Sequence, residues 1–155
     1  MPYKLSKRSK TNTLECHPDL QYIIHQALKV SFDKGLYDFG IIDGGRTLEE
    51  QKENVRTGAS KTMKSRHLLA YSTNPGIHGN TPDFDTTQWS HAFDFMVYTN
   101  GKGRWEFPLY QTMWDEVWQP IGKEAGIKIQ WGGNWKMKDG PHIQLKWSEY
   151  PISGD

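Results

Sequence analysis

The chain has 155 residues, with nineteen Lys and Arg against eighteen Asp and Glu and a formal net charge of +1 at pH 7. This length is typical of one globular domain, and we predict a single domain over residues 1–155. The near-neutral charge gives no support to binding of nucleic acid or of an anionic membrane. The single cysteine, Cys16, excludes an internal disulfide framework and a cysteine-rich zinc finger.

The N-terminus is basic but is not followed by the apolar stretch of a signal peptide. No part of the chain approaches the roughly 20 apolar residues that a membrane-spanning helix needs. We therefore expect synthesis in the cytoplasm and no membrane insertion. The basic residues at the start of the chain are interpreted as a solvated arm, with contact to an anionic cell wall as the alternative. These residues are Lys4, Lys7, Arg8 and Lys10.

The first predicted element is a helix over about residues 17–33. Apolar residues recur at helical spacing from Leu20 to Leu28. Pro18 suits the first turn of this helix and Gly35 suits its end.

A strand and a second helix are predicted next. The aromatic and β-branched run at residues 37–42 predicts a strand that leads into the tight turn 43–45. This turn presents Arg46. Thr47, followed three residues later by Glu50, is a capping-box pattern and predicts the start of the helix.

Residues 70–90 follow neither the helical nor the strand period and contain two Pro and two Gly, so we predict a long loop there. Residues 91–98 alternate between two faces and predict a strand. Asp94 lies in the middle of this strand, on the opposite face from Phe93 and Phe95.

The last third of the chain predicts one helix and a hairpin. The helical stripe at residues 110–125 is interrupted by Pro120, which must kink or split the helix. Residues 127–131 and 142–147 predict two paired strands. The second strand is expected to point Ile143, Leu145 and Trp147 to the apolar layer, and His142, Gln144 and Lys146 into a groove.

Three segments carry the residue types of a metal site: Ser65-Arg66-His67, His91-Ala92-Phe93-Asp94-Phe95, and Trp131-Gly132-Gly133 leading to Asp139-Gly140-Pro141-His142. Two imidazoles and one carboxylate suit zinc with a fourth position left for water, which is the pattern of a catalytic site. Asp139 precedes His142 across a Gly-Pro turn and could accept a proton from that water. Each residue alone is weak evidence, because an isolated histidine is more often a packing or surface residue.

The chain resembles the zinc D,D-/L,D-peptidases of the M15 family, and among them the phage endolysins that act as L-alanyl-D-glutamate endopeptidases on peptidoglycan. Several blocks in the right order make the resemblance more specific than one motif. It implies an α+β fold of the Hedgehog/DD-peptidase type, a small antiparallel sheet with flanking helices. The blocks are Leu5-Ser6-Lys7-Arg8-Ser9, His17-Pro18-Asp19-Leu20, Gly45-Arg46-Thr47 with Gln51, Gly58-Ala59-Ser60-Lys61-Thr62, Ser65-Arg66-His67, Ala92-Phe93-Asp94, Trp105 with Pro108-Leu109-Tyr110, and Trp131-Gly132-Gly133 with Asp139-Gly140-Pro141-His142.

The resemblance also implies roles for individual residues. His67, Asp94 and His142 match the family's zinc ligands, and Asp139 matches its catalytic carboxylate. Arg46 matches an arginine whose cation would stabilise the oxyanion of the tetrahedral intermediate. The alternative for Arg46 is a surface salt bridge without a catalytic role.

The spacing of the first two ligands departs from the family pattern Ser-x-His-x-x-Gly-x-Ala-x-Asp. That pattern has seven positions from His to Asp, whereas here 94 − 67 = 27, and Ala70 stands where Gly is expected. Such an insertion is tolerable for a metal site if the loop leaves and returns at the same place. We interpret it as a lid beside the metal, with a solvated loop as the alternative.

Other residues compete for these roles. His78 and Asp85, inside the insertion, are also seven positions apart, but their neighbours do not match the family. His91 lies on the opposite strand face from Asp94, so we interpret it as a packing or ligand-supporting residue. The tryptophans that could line a glycan or peptide groove are Trp89, Trp135 and Trp131, of which Trp131 is expected in the core.

The predicted function is hydrolysis of the L-Ala to D-Glu bond of peptidoglycan stem peptides. Two alternatives stay open: a D-alanyl-D-alanine carboxypeptidase or dipeptidase, and a zinc-bearing module of the same fold without catalysis. The resemblance implies a monomer that waits in the host cytoplasm. A holin-type partner would then permeabilise the membrane and give the enzyme access to the cell wall.

Overall fold

The computed structural model describes residues 2–154. The helices are α1 (Lys7–Leu14), α2 (Pro18–Asp33), α3 (Leu48–Thr57), α4 (Phe107–Met113) and α5 (Gln119–Ala125). The strands are β1 (Asp38–Asp43), β2 (Ala92–Thr99), β3 (Lys102–Arg104), β4 (Ile129–Trp131) and β5 (His142–Leu145). These elements confirm the predicted α+β class. Within residues 2–154, no helix combines the length and the apolar character needed to cross a bilayer.

The five strands form an antiparallel sheet in the order β1-β2-β5-β4, with β3 also paired to β2. Because β1 occupies one edge of β2, β5 and β3 must share the other edge. This register gives Asp94 a direct neighbour on each side, Asp43 from β1 and His142 from β5. The centre of the sheet therefore places three chemically active side chains in one row.

The predicted faces of α2 and β2 are confirmed by burial. Leu20 and Ile24 on α2, and Phe93 and Phe95 on β2, are fully buried and belong to one hydrophobic cluster. Trp118 packs its ring about 5 Å from each of these two phenylalanine rings. Large aromatic rings thus fill much of the core.

The interruption predicted at Pro120 is also present. The helical path from α4 to α5 passes through a π-helical segment, Trp114–Trp118, and Pro120 lies in the first turn of α5. Proline has no N–H to donate to the carbonyl four residues before it. That carbonyl, on Glu116, instead accepts a hydrogen bond from Lys34 Nζ at 2.6 Å.

The prediction of a solvated N-terminal arm is wrong, because this part of the chain folds as α1. Ser6 caps the helix, and Ser9 Oγ accepts a hydrogen bond from Ile41 N at 2.9 Å. Asn12 Nδ2 donates to the carbonyl of Ile41 at 2.7 Å. The buried residues of α1 are polar, Ser9 and Thr13, so the helix shows no apolar stripe in the sequence.

The insertion leaves and returns at the same place, as a metal site between His67 and Asp94 requires. Ala70 and Trp89 form an antiparallel bridge, with Trp89 N donating to the Ala70 carbonyl at 2.7 Å. Between them the chain forms a 3-10 helix, Phe84–Thr86, and a bridge from Ser72 to Ile152. The twenty extra residues thus add to the surface without separating the two ligand segments.

Candidate active site

Three predicted ligands converge at one point. His67 Nε2 lies 3.3 Å from Asp94 Oδ1 and 3.3 Å from His142 Nδ1, and His142 Nδ1 lies 3.2 Å from Asp94 Oδ1. They form the one group of three or more His, Cys, Asp or Glu residues within 2–154 whose geometry could hold a metal ion. We call His67, Asp94 and His142 the metal-site cluster.

Backbone pairing brings these side chains together. Asp94 and His142 are direct partners across β2 and β5, where opposite side chains lie about 5 Å apart. His67 arrives from a segment that pairs with the chain just after β1. Arg46 N donates to the His67 carbonyl at 2.7 Å, and Leu69 N donates to the Arg46 carbonyl at 2.8 Å.

The hydrogen bonds on the outer side of each imidazole fix its tautomer. His67 Nδ1 donates to the carbonyl of Gly44 at 2.8 Å, because a carbonyl oxygen can only accept. His142 Nε2 contacts Gln144 Oε1 at 2.9 Å. With a proton on each outer nitrogen, both inner nitrogens present lone pairs to each other and to Asp94. A metal ion bound among these three acceptor atoms could satisfy all of them.

The acid–base properties of the cluster reflect this crowding. Burial would raise the pKa of the Asp94 carboxyl, but the imidazoles of His142 and His67, each of which donates to this carboxylate when its inner nitrogen is protonated, outweigh burial and hold that pKa below its ordinary value. Burial would lower the pKa of His67, but the carboxylates of Asp94 and Asp43 raise it overall. Asp94 is therefore an anion, ready to balance a positive charge.

The cluster opens into a groove of about 700 Å³. All five residues predicted for the site line this groove: His67, Asp94, His142, Asp139 and Arg46. No residue of the insertion at 70–90 is among its lining residues, so the interpretation of the insertion as a lid over the metal has no support in this arrangement.

Asp139 is an exposed residue of the loop that precedes β5. Its backbone is fixed at both ends, since Asp139 N donates to the Gly132 carbonyl at 2.9 Å and its own carbonyl accepts from His142 N at 3.2 Å. Partial burial raises the pKa of the Asp139 carboxyl, and the negative charge of Asp94 raises it further. The side chain faces the groove beside the cluster without joining it.

Arg46 forms a salt bridge and also lies on the wall of the groove. Its Nη2 forms an ion pair with Asp43 Oδ2 at 2.7 Å, and its side chain also lines the groove. Nη1 donates to Gln51 Oε1 at 3.3 Å. The salt bridge thus holds the guanidinium in place next to the cluster.

Two glutamines that support the site had no predicted role. Gln51 is fully buried, and its Nε2 donates to Ser60 Oγ at 2.9 Å and to the Thr62 carbonyl at 2.6 Å. The signal for Gln51 in the sequence was its place in one of the blocks that resemble the family. Gln144 was signalled by strand alternation, which placed it on the groove face with His142.

The tryptophans divide between core, groove and insertion. Trp131 is buried in the core as expected, and exposed Trp135 lines the groove beside the His142 ring. Trp89 does not line this groove; it is buried and stacks on Phe84. The prediction that Trp147 faces the apolar layer is wrong, because β5 ends at Leu145 and Trp147 lines the groove.

In the groove, the ring of Trp147 packs against the buried guanidinium of Arg66. The Arg66 guanidinium lies 4.0 Å from the ring centroid. Arg66 also donates to the carbonyls of Leu145 and Tyr150. These bonds join the end of β5 to the segment that carries His67.

The residues that compete with the predicted ligands lie outside the metal-site cluster. His78 stacks on Tyr22 with ring centroids 4.1 Å apart, and Asp85 is exposed in the 3-10 helix. His91 is fully buried and packs on His17 with centroids 5.6 Å apart, which confirms its interpretation as a packing residue.

Comparison with known proteins agrees with this geometry. Residues 1–148 match the family described as phage L-alanyl-D-glutamate peptidase. The L-alanyl-D-glutamate peptidase of Escherichia phage T5 is 29% identical over 97% of this chain and 94% of its own length. The peptidase of the same name from Listeria phage A118 is 29% identical over 68% of this chain, which spans 29% of that protein.

A solved structure is similar over nearly the whole chain. The L-Ala D-Glu endopeptidase ChiX of Serratia marcescens superposes with a TM-score of 0.72 at 32% identity. The match covers 94% of this chain and 92% of the ChiX chain. The family match, the similar fold and the order of the site residues lead to one conclusion: this chain belongs to the phage L-alanyl-D-glutamate peptidase family.

Proposed function

We propose that the protein is a zinc-dependent endopeptidase that hydrolyses the L-alanyl-D-glutamate bond of peptidoglycan stem peptides. The observation that carries this proposal is the meeting of three acceptor atoms at the base of an open groove. Family membership supports the choice of bond, because the relatives are named for it.

His67 Nε2, Asp94 Oδ1 and His142 Nδ1 would hold the zinc ion. Ligand atoms at about 2.0–2.1 Å from a tetrahedral zinc are separated by about 3.3–3.4 Å. The three separations of 3.2–3.3 Å are close to this value. Zinc supplies Lewis acidity that polarises a carbonyl group and makes a water molecule more acidic.

Asp139 is the proposed general base. Its carboxylate would accept a proton from the attacking water and donate it to the leaving amine of the D-glutamyl residue. A pKa above the ordinary carboxyl value suits this exchange, because it makes the carboxylate a better proton acceptor.

Arg46 is the proposed oxyanion-stabilising residue. Its guanidinium carries a permanent charge, and Asp43 and Gln51 fix its position on the groove wall. Negative charge that develops on the scissile carbonyl oxygen would be stabilised by this preorganised cation.

We further propose that residues 1–155 act as one monomeric peptidase domain. Access to the cell wall would follow permeabilisation of the membrane by a holin-type partner. The family is described as a phage peptidase family, which supports action on the cell wall of a host.

The test is mass spectrometry of purified peptidoglycan after incubation with the protein, with a chelator and then with restored zinc. We expect release of a stem peptide that begins at D-Glu, lost on chelation and regained with zinc. Release of terminal D-Ala alone would replace the proposal with the carboxypeptidase alternative. Absence of metal-dependent cleavage would favour a non-catalytic module.

The role of Asp139 has its own test in Asp139→Ala. This variant should retain one zinc per chain and lose about 10²–10⁴-fold in kcat. Near wild-type turnover in a folded Asp139→Ala would contradict the assignment.

A further inference from the structure

The groove is more positively charged than the molecule as a whole. Its lining includes five basic residues, Arg46, Lys61, Lys64, Arg66 and Lys138, against two acidic ones, Asp94 and Asp139. The whole chain carries a net charge of only +1. The local excess therefore concentrates positive charge where a substrate would lie.

Three of these cations already have structural contacts. Arg46 is paired with Asp43, and Arg66 is buried against backbone carbonyls and the Trp147 ring. Lys138 Nζ donates to the Gly133 carbonyl at 3.2 Å. These contacts hold groove walls and loops in position.

Lys61 and Lys64 differ from the other three. Both are exposed, and none of the ion pairs among residues 2–154 includes either of them. Their ammonium groups are thus available to an anionic ligand. They precede the metal-site residue His67 by six and three positions.

The backbone that carries these lysines is fixed rather than loose. Buried Gln51 donates to the Thr62 carbonyl at 2.6 Å, and Lys64 N donates to Thr62 Oγ1 at 3.0 Å. Ser60 N donates to the Asn54 carbonyl at 2.9 Å, which ties the segment to α3. The same Gln51 contacts Arg46, so one buried side chain positions the lysine segment and the guanidinium together.

The proposed substrate supplies a matching anion. A D-glutamyl residue has two carboxyl groups, and the peptide continues through only one of them. The other carboxylate stays free and lies within a few bonds of the amide that would be cleaved. A cation beside the metal-site cluster can therefore recognise this residue through its charge.

We propose that Lys61 and Lys64 form a subsite for the free carboxylate of the D-glutamyl residue. This inference rests on the proposed endopeptidase function and deepens it. The subsite makes the enzyme prefer a stem peptide whose glutamyl carboxylate is ionised over the same peptide with that group amidated.

The experiment compares two synthetic stem peptides that differ only in this group, carboxylate or carboxamide. We expect the wild-type zinc enzyme to cleave the carboxylate peptide with a kcat/KM about 10–100-fold higher. In the double variant Lys61→Met, Lys64→Met this ratio should fall to near 1. The methionines keep chain length and apolar packing but remove both charges.

The matched control is Lys29→Met, which removes an exposed charge on α2 that does not line the groove. It should keep the wild-type ratio, and the zinc content and thermal unfolding of all variants should match the wild type. Equal cleavage of both peptides by the wild type, or an unchanged ratio in the double variant, would overturn the subsite. Cleavage of neither peptide by the wild type would instead overturn the endopeptidase function and this inference with it.

Discussion

Two of the polar clusters among residues 2–154 contain buried histidines. They differ in whether their acceptor atoms are paired with donors. In the metal-site cluster, two imidazole nitrogens and a carboxylate oxygen face one another at 3.2–3.3 Å. The second cluster, which we call the anchor network, consists of His17, Asp19 and Tyr150. There, every acceptor faces a donor.

Asp19 is the centre of the anchor network and is fully buried. Its Oδ1 accepts from His78 N at 2.8 Å, and its Oδ2 accepts from the Tyr150 hydroxyl at 2.7 Å. His17 Nδ1 accepts from Asp19 N at 3.0 Å, and its Nε2 donates to the Asn74 carbonyl at 2.8 Å. The network thereby ties the insertion and the C-terminal segment to the start of α2.

The difference teaches that buried histidine and aspartate residues do not by themselves indicate a metal site. What distinguishes the two clusters is whether the acceptors are matched by donors within the protein. The anchor network is complete without a cation and serves stability. The acceptors of the metal-site cluster have no such donors, and a bound metal ion would satisfy them.

The largest expected effect follows from removing a metal-site ligand. His67→Ala, Asp94→Ala and His142→Ala should each lose bound zinc and at least about 10³-fold in activity, because zinc contributes several kcal/mol to the transition state. Zinc content by elemental analysis and peptidoglycan cleavage are the measurements. His78→Ala is the control and should keep both, whereas loss of zinc in His78→Ala would move the site into the insertion.

The anchor network should respond in stability and not in metal binding. Asp19→Ala leaves two backbone N–H groups and the Tyr150 hydroxyl without their acceptor, and should lower the free energy of unfolding by about 3 kcal/mol. Urea denaturation measures this loss, with Asp33→Ala at the exposed end of α2 as control. Loss of zinc by a folded Asp19→Ala variant would contradict the conclusion that the anchor network does not contribute to metal binding.

A smaller effect is expected from changing the residue that fixes the tautomer of His142. Gln144→Leu removes the acceptor for His142 Nε2 and should weaken zinc affinity about 10–100-fold. Competition with a zinc chelator of known affinity gives the value. Gln130→Leu is a matched control, because Gln130 contacts Gln144 but not the imidazole; equal affinities in the two variants would assign the effect to packing.

The smallest expected effect is a pH dependence beside the anchor network. Burial, with the nearby charge of Arg66, lowers the pKa of His91 to about 3. Below pH 6.5 the unfolded chain binds a proton at His91 that the folded protein does not, so stability falls as the pH decreases. From pH 6 to pH 5 the wild type should lose about 1 kcal/mol more than His91→Phe, as measured by urea denaturation; parallel pH profiles would contradict this.

Much of the local structure was predictable because it is encoded by neighbouring residues. The apolar stripe of α2, the alternation of β2 and the Thr47–Glu50 capping box each appear in the fold as predicted. Helix α1 was not predicted, because no local pattern of apolar residues marks its buried face. Its buried side is formed by Ser9 and Thr13. The Ser9 hydroxyl accepts a hydrogen bond from Ile41 N of β1, whereas the Thr13 hydroxyl donates to the Ser9 carbonyl within the helix.

The sequence by itself determined which residue types would serve the site, because the motifs around His67, Asp94 and His142 are short and local. Only the tertiary structure decided that the 27-position separation closes at the Ala70–Trp89 bridge. It also placed Asp43, Asp94 and His142 in one row, through the strand register. Register and loop closure depend on hydrogen bonds between residues far apart in the chain, and no periodic pattern records such bonds.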